Sequence, residues 1–219
     1  MNTRSELLQA LKNRDPGDGM ATSIPVGNPV EALLRPVATT PGSINPDDVR
    51  HLTEWRNRFV TSFLTEFTAT EQRTSRWLAE TVGPDDGKIL FMLDDVRGEP
   101  FGYMGLAFIN WADSHGEADS VVRGAPARPG LMTVALHTLF DWAREHLKLS
   151  SFGVRVRSDN TALDFYRKAG FIETRRVPLR REEEEGFIRF VEAAEHEIST
   201  ISLVHMNYRH RTLKASREN

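Results

Sequence analysis

The most informative part of the sequence is the stretch VRSDNTALDFYRKAGF, residues 156–171. Its apolar side chains recur at the three- and four-residue spacing of one helix face, which predicts a helix over residues 159–169; they are Ala162, Phe165, Tyr166 and Ala169. Gly170 follows as a stop, because glycine readily adopts the left-handed conformation that ends many helices. An ordinary capped helix explains this stripe, but it does not predict the joint presence of Asn160, Tyr166, Lys168 and Phe171.

A second informative stretch lies upstream, where a loop rich in glycine and proline leads into a long helix. The loop reads GAPARPG, residues 124–130, and apolar residues at helical spacing predict a helix over residues 131–147. The first amides of a helix have no partner within it and carry partial positive charge, so they can bind pyrophosphate, with Arg128 beside them. An ordinary strand-to-helix turn has the same composition, so this loop alone leaves both interpretations open.

Strands and helices alternate on both sides of these two stretches. Asn45 and Pro46 predict the start of a helix that runs through Trp55, and Thr70 caps a second helical stretch that reaches about residue 82. Apolar runs predict strands over residues 32–37, 89–93, 101–109, 117–123, 152–156, 187–191 and 201–208. This alternation predicts an α/β (α+β) fold in which helices pack on the faces of a sheet.

Most of the chain is predicted to form one domain, residues 31–210. Residues 1–30 are predicted to be an N-terminal extension with a short helix over residues 4–13, which the sequence DPGDG at residues 15–19 ends. Residues 211–219 are predicted to be a polar tail. The acidic runs at residues 182–185 and 192–197 are read as solvated surface.

Composition excludes several classes of protein. With 39% hydrophobic and 27% charged residues among 219, the chain is typical of a soluble globular protein. It shows neither an apolar run long enough for a membrane span nor a secretory signal, so we expect a cytoplasmic protein without membrane contact. A net charge of -3 argues against a nucleic-acid partner. The absence of cysteine excludes disulfides, thiolate metal sites and a cysteinyl acyl-enzyme, and no metal is expected.

The two stretches together carry a family resemblance. Asn-x-x-Ala-x-x-x-Tyr-x-Lys-x-Gly-Phe after a strand, preceded by the loop and helix above, resembles the GCN5-related N-acetyltransferase (GNAT) superfamily over about residues 34–208. The segments WRN at 55–57, RWL at 76–78 and GLMT at 130–133 are similar to its ribosomal-protein and amino-sugar acetyltransferases. The resemblance implies a single mixed, splayed central sheet with helices on both faces, and acetyl-CoA as co-substrate.

The resemblance also implies where the cofactor binds. In the superfamily, a strand backbone lies beside the pantetheine, the loop and helix start hold the pyrophosphate, and the asparagine contacts the pantetheine or phosphate arm. The corresponding positions here are Val121, Val122, Arg128, Gly130, Leu131, Met132, Thr133 and Asn160. The superfamily loop usually reads Gln/Arg-x-x-Gly-x-Gly/Ala, whereas this chain has Ala127 at the polar position and Met132 at the second glycine. Backbone amides can still hold phosphate, and Arg128 would supply the charge.

Acyl transfer to an amine needs a neutral nucleophile and a proton for the leaving thiolate. By the resemblance, Tyr166 supplies that proton, although a core aromatic would fit the same position. Strand alternation predicts that Glu117, Asp119 and Val121 share one face, and the superfamily often has a basic carboxylate there. Glu117 is therefore the first candidate base and Asp119 the second.

Candidate acceptor-binding residues are Trp55, Arg56, Asn57 and His205. Trp55 and His205 also fit packing positions. We expect direct transfer of acetyl from acetyl-CoA to a primary amine of a small molecule, in a ternary complex; a nucleotide-linked amino sugar is favoured by the segments WRN and VVRG. The alternatives are a protein N-terminus, an antibiotic or amino-acid amine, and a non-catalytic acyl-CoA-binding module. The sequence leaves open the length of the acyl group and the oligomeric state, for which a homodimer is one possibility.

Overall fold

A computed structural model describes residues 3–14, 22–194 and 196–209. Within them, ten strands form one sheet in the order β1-β2-β4-β5-β6-β7-β10-β8-β9-β3. The strands are β1 (Ile24–Val26), β2 (Ala32–Pro36), β3 (Thr65–Glu66), β4 (Ile89–Asp95), β5 (Pro100–Asn110), β6 (His115–Arg123), β7 (Ser151–Arg157), β8 (Phe171–Glu184), β9 (Phe187–Glu192) and β10 (Ser202–Tyr208). Neighbours pair antiparallel except β6 and β7, which are parallel, so the predicted mixed sheet is confirmed.

The sheet splays open between β6 and β7. The two strands pair only where residues 115–117 of β6 meet residues 151–153 of β7. Beyond those three pairs each strand continues without the other as its partner. A gap therefore opens in the middle of the sheet, flanked by backbone that is free of the β6–β7 ladder.

The described residues also form five α-helices, α1 (Thr3–Lys12), α2 (Pro46–Arg58), α3 (Glu71–Trp77), α4 (Leu131–His146) and α5 (Ala162–Ala169). A 3₁₀ turn (Val60–Ser62) follows α2, and a π-helical turn (Leu78–Val82) extends α3. Both predicted caps are confirmed: Asn45 accepts a hydrogen bond from the Asp47 amide, and Thr70 accepts one from the Arg73 amide.

Helices cover both faces of the sheet, and β4 shows how. Ile89, Phe91 and Leu93 point into the larger core, which contains α4, α5 and Leu8 of α1. The residues between them, Leu90 and Met92, point into a second core with α2 and the π-helical turn. Because successive strand residues face opposite sides, a continuous apolar run is buried on both faces.

The N-terminal helix packs tightly on the rest of the molecule. The side chain of Lys12 is fully buried, and its Nζ donates to the carbonyl oxygens of Val82 (3.0 Å) and Asp85 (2.5 Å). β1 adds an antiparallel strand beside β2. The division of the chain at residue 30 stays a prediction, and the predicted helix-ending residues 15–19 and polar tail 211–219 lie outside the described residues.

One long strand was not expected from the sequence. β8 spans 14 residues, and its last three belong to the acidic run that we had read only as surface. Val177 and Leu179 are buried at alternating positions, while most other side chains of β8 are exposed. Charged residues at the exposed positions conceal the strand pattern, yet they remain solvated as predicted. None of the described helices is long and apolar enough to cross a membrane.

Candidate active site

The gap between β6 and β7 forms a cleft of about 660 Å³. One wall is residues 118–123 of β6, and the other is residues 154–157 of β7 with α5. The start of α4 and the segment of residues 59–65, which follows α2, complete the lining. Two stretches that are far apart in sequence, the Gly-Pro loop and the Asn160 motif, therefore meet at one site.

A β-bulge in β6 shapes the first wall. Tyr103 and Gly105 of β5 pair with Val122 and Asp119, so β6 has one more residue than β5 over this interval. Ser120, at φ 54°, takes up the extra residue in a left-handed conformation. Neither Ser120 nor Val121 has a paired residue in β5, and both line the cleft. Their backbone is thereby available to a ligand.

The bulge also corrects one prediction. Alternation without a bulge would place Val121 on the same face as Glu117 and Asp119. Instead Val121 packs with Ala118 against the larger core, and Val122 joins the second core. The prediction that these three residues share a face was wrong because the extra residue reverses the alternation after Ser120.

The start of α4 is open toward the cleft. Gly130, the cap residue, has φ 85° and no side-chain cap, and a Cβ built on it would meet nothing within 4 Å. Met132 and Thr133 line the cleft, whereas Leu131 is 5% exposed and packs into the larger core. The Leu131 and Thr133 amides donate to the carbonyls of Arg128 (3.1 Å) and Gly130 (3.0 Å). An anion in the open space at Gly130 would meet the positive end of the α4 dipole.

Arg128 also lines the cleft, but an acidic residue holds it. Its Nη2 donates to Glu31 Oε1 at 2.6 Å, and its Nε contacts the other carboxylate oxygen of Glu31. About half of the Arg128 side chain is exposed. A phosphate at the start of α4 would therefore compete with Glu31 for this guanidinium.

Tyr166 is placed by α5 against the core, with one edge at the cleft. Its ring packs edge-on against Phe165 and Phe171, with centroids 5.1 and 5.4 Å away. Its hydroxyl makes no hydrogen bond to any residue that the structure describes. Burial, assisted by the negative charge of Asp119, raises the pKa of Tyr166 well above its usual value of 10. The phenol therefore stays protonated near neutral pH, and the same shift makes it a weaker acid than an exposed tyrosine.

Asn160 and Arg157 bind the segment of residues 59–65, which forms the far wall of the cleft. Asn160 Oδ1 accepts from the Ala162 amide (2.8 Å), so α5 begins three residues later than predicted, and its Nδ2 donates to the Ser62 carbonyl (3.1 Å). Arg157 donates to the Phe63 carbonyl (2.9 Å). Sequence reasoning did not find this wall, because no local motif marks residues 59–65.

The two candidate bases have different surroundings. Asp119 lines the cleft and accepts from Lys88 Nζ at 2.7 Å and from the Ser120 hydroxyl at 2.9 Å. Glu117 does not line the cleft, and it accepts from Arg155 Nε at 2.7 Å. The structure therefore brings the second candidate, not the first, to the site.

Of the four predicted acceptor-binding residues, Trp55 and Asn57 are engaged in the scaffold. Trp55 is 3% exposed and stacks on Tyr103, and a Cβ at Gly124 would lie 1.9 Å from its Cδ2. Both polar atoms of the Asn57 amide bond the backbone of Ala69. Neither residue is among those that line the cleft.

The other two lie near the cleft without lining it. Arg56 donates to the Thr65 carbonyl (3.0 Å) and lies over the rings of Phe63 and Phe67, and burial lowers its pKa. His205 pairs with Arg155 across β10 and β7, and its Nε2 is buried without a partner among the described residues. Arg56 thus contacts the far wall (residues 59–65) without lining the cleft. His205 lies beside Arg155, a cleft residue that the sequence did not indicate.

The charged side chains that line the cleft are mostly cationic. They are Asp119, Arg123, Arg128, Arg155 and Arg157. Three of the four guanidinium groups are ion-paired, Arg128 with Glu31, Arg155 with Glu117, and Arg157 with Glu66 and Asp159. The open start of α4, with Arg128 beside it, fits the phosphates of an acyl-CoA. Within the described residues, no group of His, Asp or Glu is arranged to hold a metal ion.

Comparison with known proteins agrees with this geometry. The family model described as Acetyltransferase (GNAT) domain matches residues 43–172, which include both stretches that carried the family resemblance. No curated protein sequence matches the chain.

Several solved structures are similar in fold. A spermidine N-acetyltransferase chimera from Vibrio cholerae and hSSAT is 15% identical over 81% of this chain and 95% of that chain, with a TM-score of 0.59. The spermidine N-acetyltransferase from Vibrio cholerae in complex with CoA and spermine is 16% identical over 81% and 94%, with a TM-score of 0.56. A dodecameric structure of that enzyme is 16% identical over 80% and 92%, with a TM-score of 0.54. At these identities the similarity establishes the fold.

Proposed function

Because this chain belongs to the GNAT acetyltransferase family and is an acyl-CoA-dependent N-acetyltransferase, we propose that it transfers acetyl directly to a primary amine of a small molecule. The observation that carries this proposal is the cleft between β6 and β7, which has the open start of α4 and the hydroxyl of Tyr166 in one cavity. Acetyl-CoA supplies the acetyl group as a thioester, and the residues of the cleft hold it and manage the protons.

The start of α4 and the bulge in β6 are proposed to hold acetyl-CoA. The positive end of the α4 dipole, at Gly130, Met132 and Thr133, attracts the phosphate oxygens, aided by Arg128 once it leaves Glu31. The backbone of Val121 and Val122 lies beside the pantetheine arm. Asn160 contributes by fixing the far wall, because its amide is already engaged with Ser62 and Ala162.

Two proton transfers accompany the reaction. As the amine nitrogen attacks the thioester carbonyl, the carbon–sulfur bond breaks, the amine loses a proton and the thiolate gains one. We assign the thiolate's proton to the Tyr166 hydroxyl, which is protonated and has no partner among the described residues. We assign acceptance of the amine's proton to Asp119, directly or through a water molecule, because it is the candidate carboxylate that lines the cleft.

The acceptor is proposed to be an amine with an anionic portion, and a nucleotide-linked amino sugar remains the favoured candidate. The similar solved structures are named for spermidine, which is a polycation. A polycation needs free carboxylates, whereas Asp119, the carboxylate that lines the cleft, is paired with Lys88. The charge of this cleft therefore favours an acceptor other than a polyamine.

The test is a thiol-release assay with acetyl-CoA and a panel of amines. The panel contains nucleotide-linked amino sugars, free amino sugars, amino acids, an aminoglycoside, a peptide with a free N-terminus and spermidine. Release of CoA together with an N-acetylated small molecule is the expected result. Binding of acetyl-CoA without acetylation of any amine would instead identify a non-catalytic acyl-CoA-binding module.

A further inference from the structure

We propose that Arg155 binds a carboxylate or phosphate group of the acceptor, and so selects amines that carry a negative charge. This inference rests on the proposed function and deepens it, because it assigns the chemical class of the acceptor to one side chain. Four features of the structure support it: the face on which Arg155 lies, the way its guanidinium is held, the backbone of Phe108 and the pairing of nearby acids.

Arg155 lies on the face where an acceptor would enter. Its neighbours Val154 and Val156 point into the core that contains α4 and α5. Because strand side chains alternate, Arg155 points to the opposite face, yet it still lines the cleft. The helices that bear the proposed cofactor site occupy the first face, so the amine has the second face for its approach.

The guanidinium is fixed in orientation while its outer nitrogens stay free. Arg155 Nε donates to Glu117 Oε2 at 2.7 Å, and Arg155 Cζ lies 4.0 Å from the ring centroid of Phe108. Neither Nη makes a hydrogen bond to any residue in the described ranges, and 26% of the side chain is exposed. A guanidinium held in this way presents N–H donors whose planar geometry matches a carboxylate or phosphate.

Phe108 is held in an unusual conformation beneath this guanidinium. It lies in β5 where the pairing with β6 shifts, at φ 52°, and the residue is 62% exposed. A bulky residue rarely occupies the left-handed region, and such conformations concentrate at functional sites. The shift in β5 places an aromatic face where it supports Arg155.

The groups around Arg155 also favour an anion. Glu66 is paired with Arg157 (2.7 Å), as Asp119 is with Lys88, so these carboxylates are already neutralised. Across β10, the buried Nε2 of His205 has no partner among the described residues. Glu117 bonds Arg155 only at Nε, so an incoming anion meets the two free Nη groups and no unpaired carboxylate among the described residues beside them.

The test compares matched acceptors in wild type, Arg155→Gln and Arg155→Lys. Each pair contains an amine with and without its anion: an amino acid and its amide, and an amino-sugar phosphate and the free amino sugar. Wild type should show a kcat/KM about 10²-fold higher for the anionic member of at least one pair, and which pair does so separates carboxylate from phosphate. Arg155→Gln should abolish that preference while the neutral amine changes less than about threefold.

Arg155→Lys should restore part of the preference, because a lysine keeps the charge but loses the planar fork. Arg97→Gln is the matched control, since Arg97 lies in the β4–β5 turn with 80% of its side chain exposed. A wild-type preference for neutral or polycationic amines would overturn the inference alone, as would equal losses for both members of a pair in Arg155→Gln. Bound acetyl-CoA with no amine acetylated would contradict the proposed function and this inference together.

Discussion

The hydroxyl of Tyr166 distinguishes two roles for this residue, a proton donor to the thiolate and a packing residue. Tyr166→Phe keeps the ring and its contacts with Phe165 and Phe171, so stability should change little. If the hydroxyl protonates the thiolate, its loss should lower kcat by about 10²- to 10⁴-fold and leave acetyl-CoA binding nearly unchanged. Tyr208→Phe, outside the residues that line the cleft, is the control. An unchanged kcat would make Tyr166 a packing residue, and lost cofactor binding would make it a positioning group.

The two carboxylates of β6 should respond differently to removal of their charge. Asp119→Asn should lower kcat by about 10²-fold, because Asp119 is the proposed acceptor of the amine's proton. Glu117→Gln should keep kcat and raise the KM of an anionic acceptor, because Glu117 orients Arg155 rather than facing the cleft. Steady-state kinetics of both variants distinguish the roles. A larger kcat loss in Glu117→Gln would restore Glu117 as the base.

At the scale of elements, the start of α4 should be required for cofactor binding. Acetyl-CoA should raise the melting temperature of the wild type, because it binds the folded state. Gly130→Val should abolish that shift by obstructing the approach of phosphate to the helix amides. Gly98→Val is a matched control, since Gly98 has nearly the same φ (86° against 85°) and equally open space, but lies in the β4–β5 turn. If both variants keep the shift, the cofactor binds elsewhere.

Burial of Lys12, where α1 packs on the rest of the fold, should make the free energy of unfolding depend on pH. Burial lowers the pKa of Lys12 from 10.5 to about 8. Between these values the unfolded chain binds a proton that the folded chain does not, so the free energy of unfolding should rise with pH from about 8 to about 10.5. The rise should be on the order of 3 kcal/mol.

Lys12→Met tests this by removing the titrating group while keeping an unbranched side chain. Denaturant unfolding at several pH values should show the rise in wild type and its absence in the variant. The variant should also be less stable than the wild type at high pH. It lacks the Lys12 amine that donates to the Val82 and Asp85 carbonyls, so these buried carbonyls lose a hydrogen-bond partner. Equal pH slopes in both proteins would show that Lys12 is not the source.

For the whole molecule, what the sequence could predict was mostly local. Asn45 and Thr70 cap helices through amides two and three residues away, so their patterns lie within a few residues of sequence. Gly170 adopts the positive φ that its place at a helix end predicted. Both stretches that suggested the family are also local patterns of sequence, and residues of both line the cleft.

What the sequence could not predict depends on contacts between distant residues. Arg157 holds Phe63 across 94 positions, and Arg155 holds Glu117 across 38, so neither pair leaves a local pattern. A single extra residue at Ser120 reversed the alternation on which the shared face of β6 was predicted. The site therefore combines loops that sequence motifs reveal with a wall and an arginine that only the fold brings together.

Direct transfer from acetyl-CoA to an amine within one cleft can be tested by measuring initial rates with both substrates varied. Double-reciprocal plots should intersect, because acetyl-CoA and the amine must both be bound before transfer, and the chain has no cysteine to form a thioester with the protein. Parallel lines, together with an acetylated protein that passes its acetyl group to the amine, would contradict the claim.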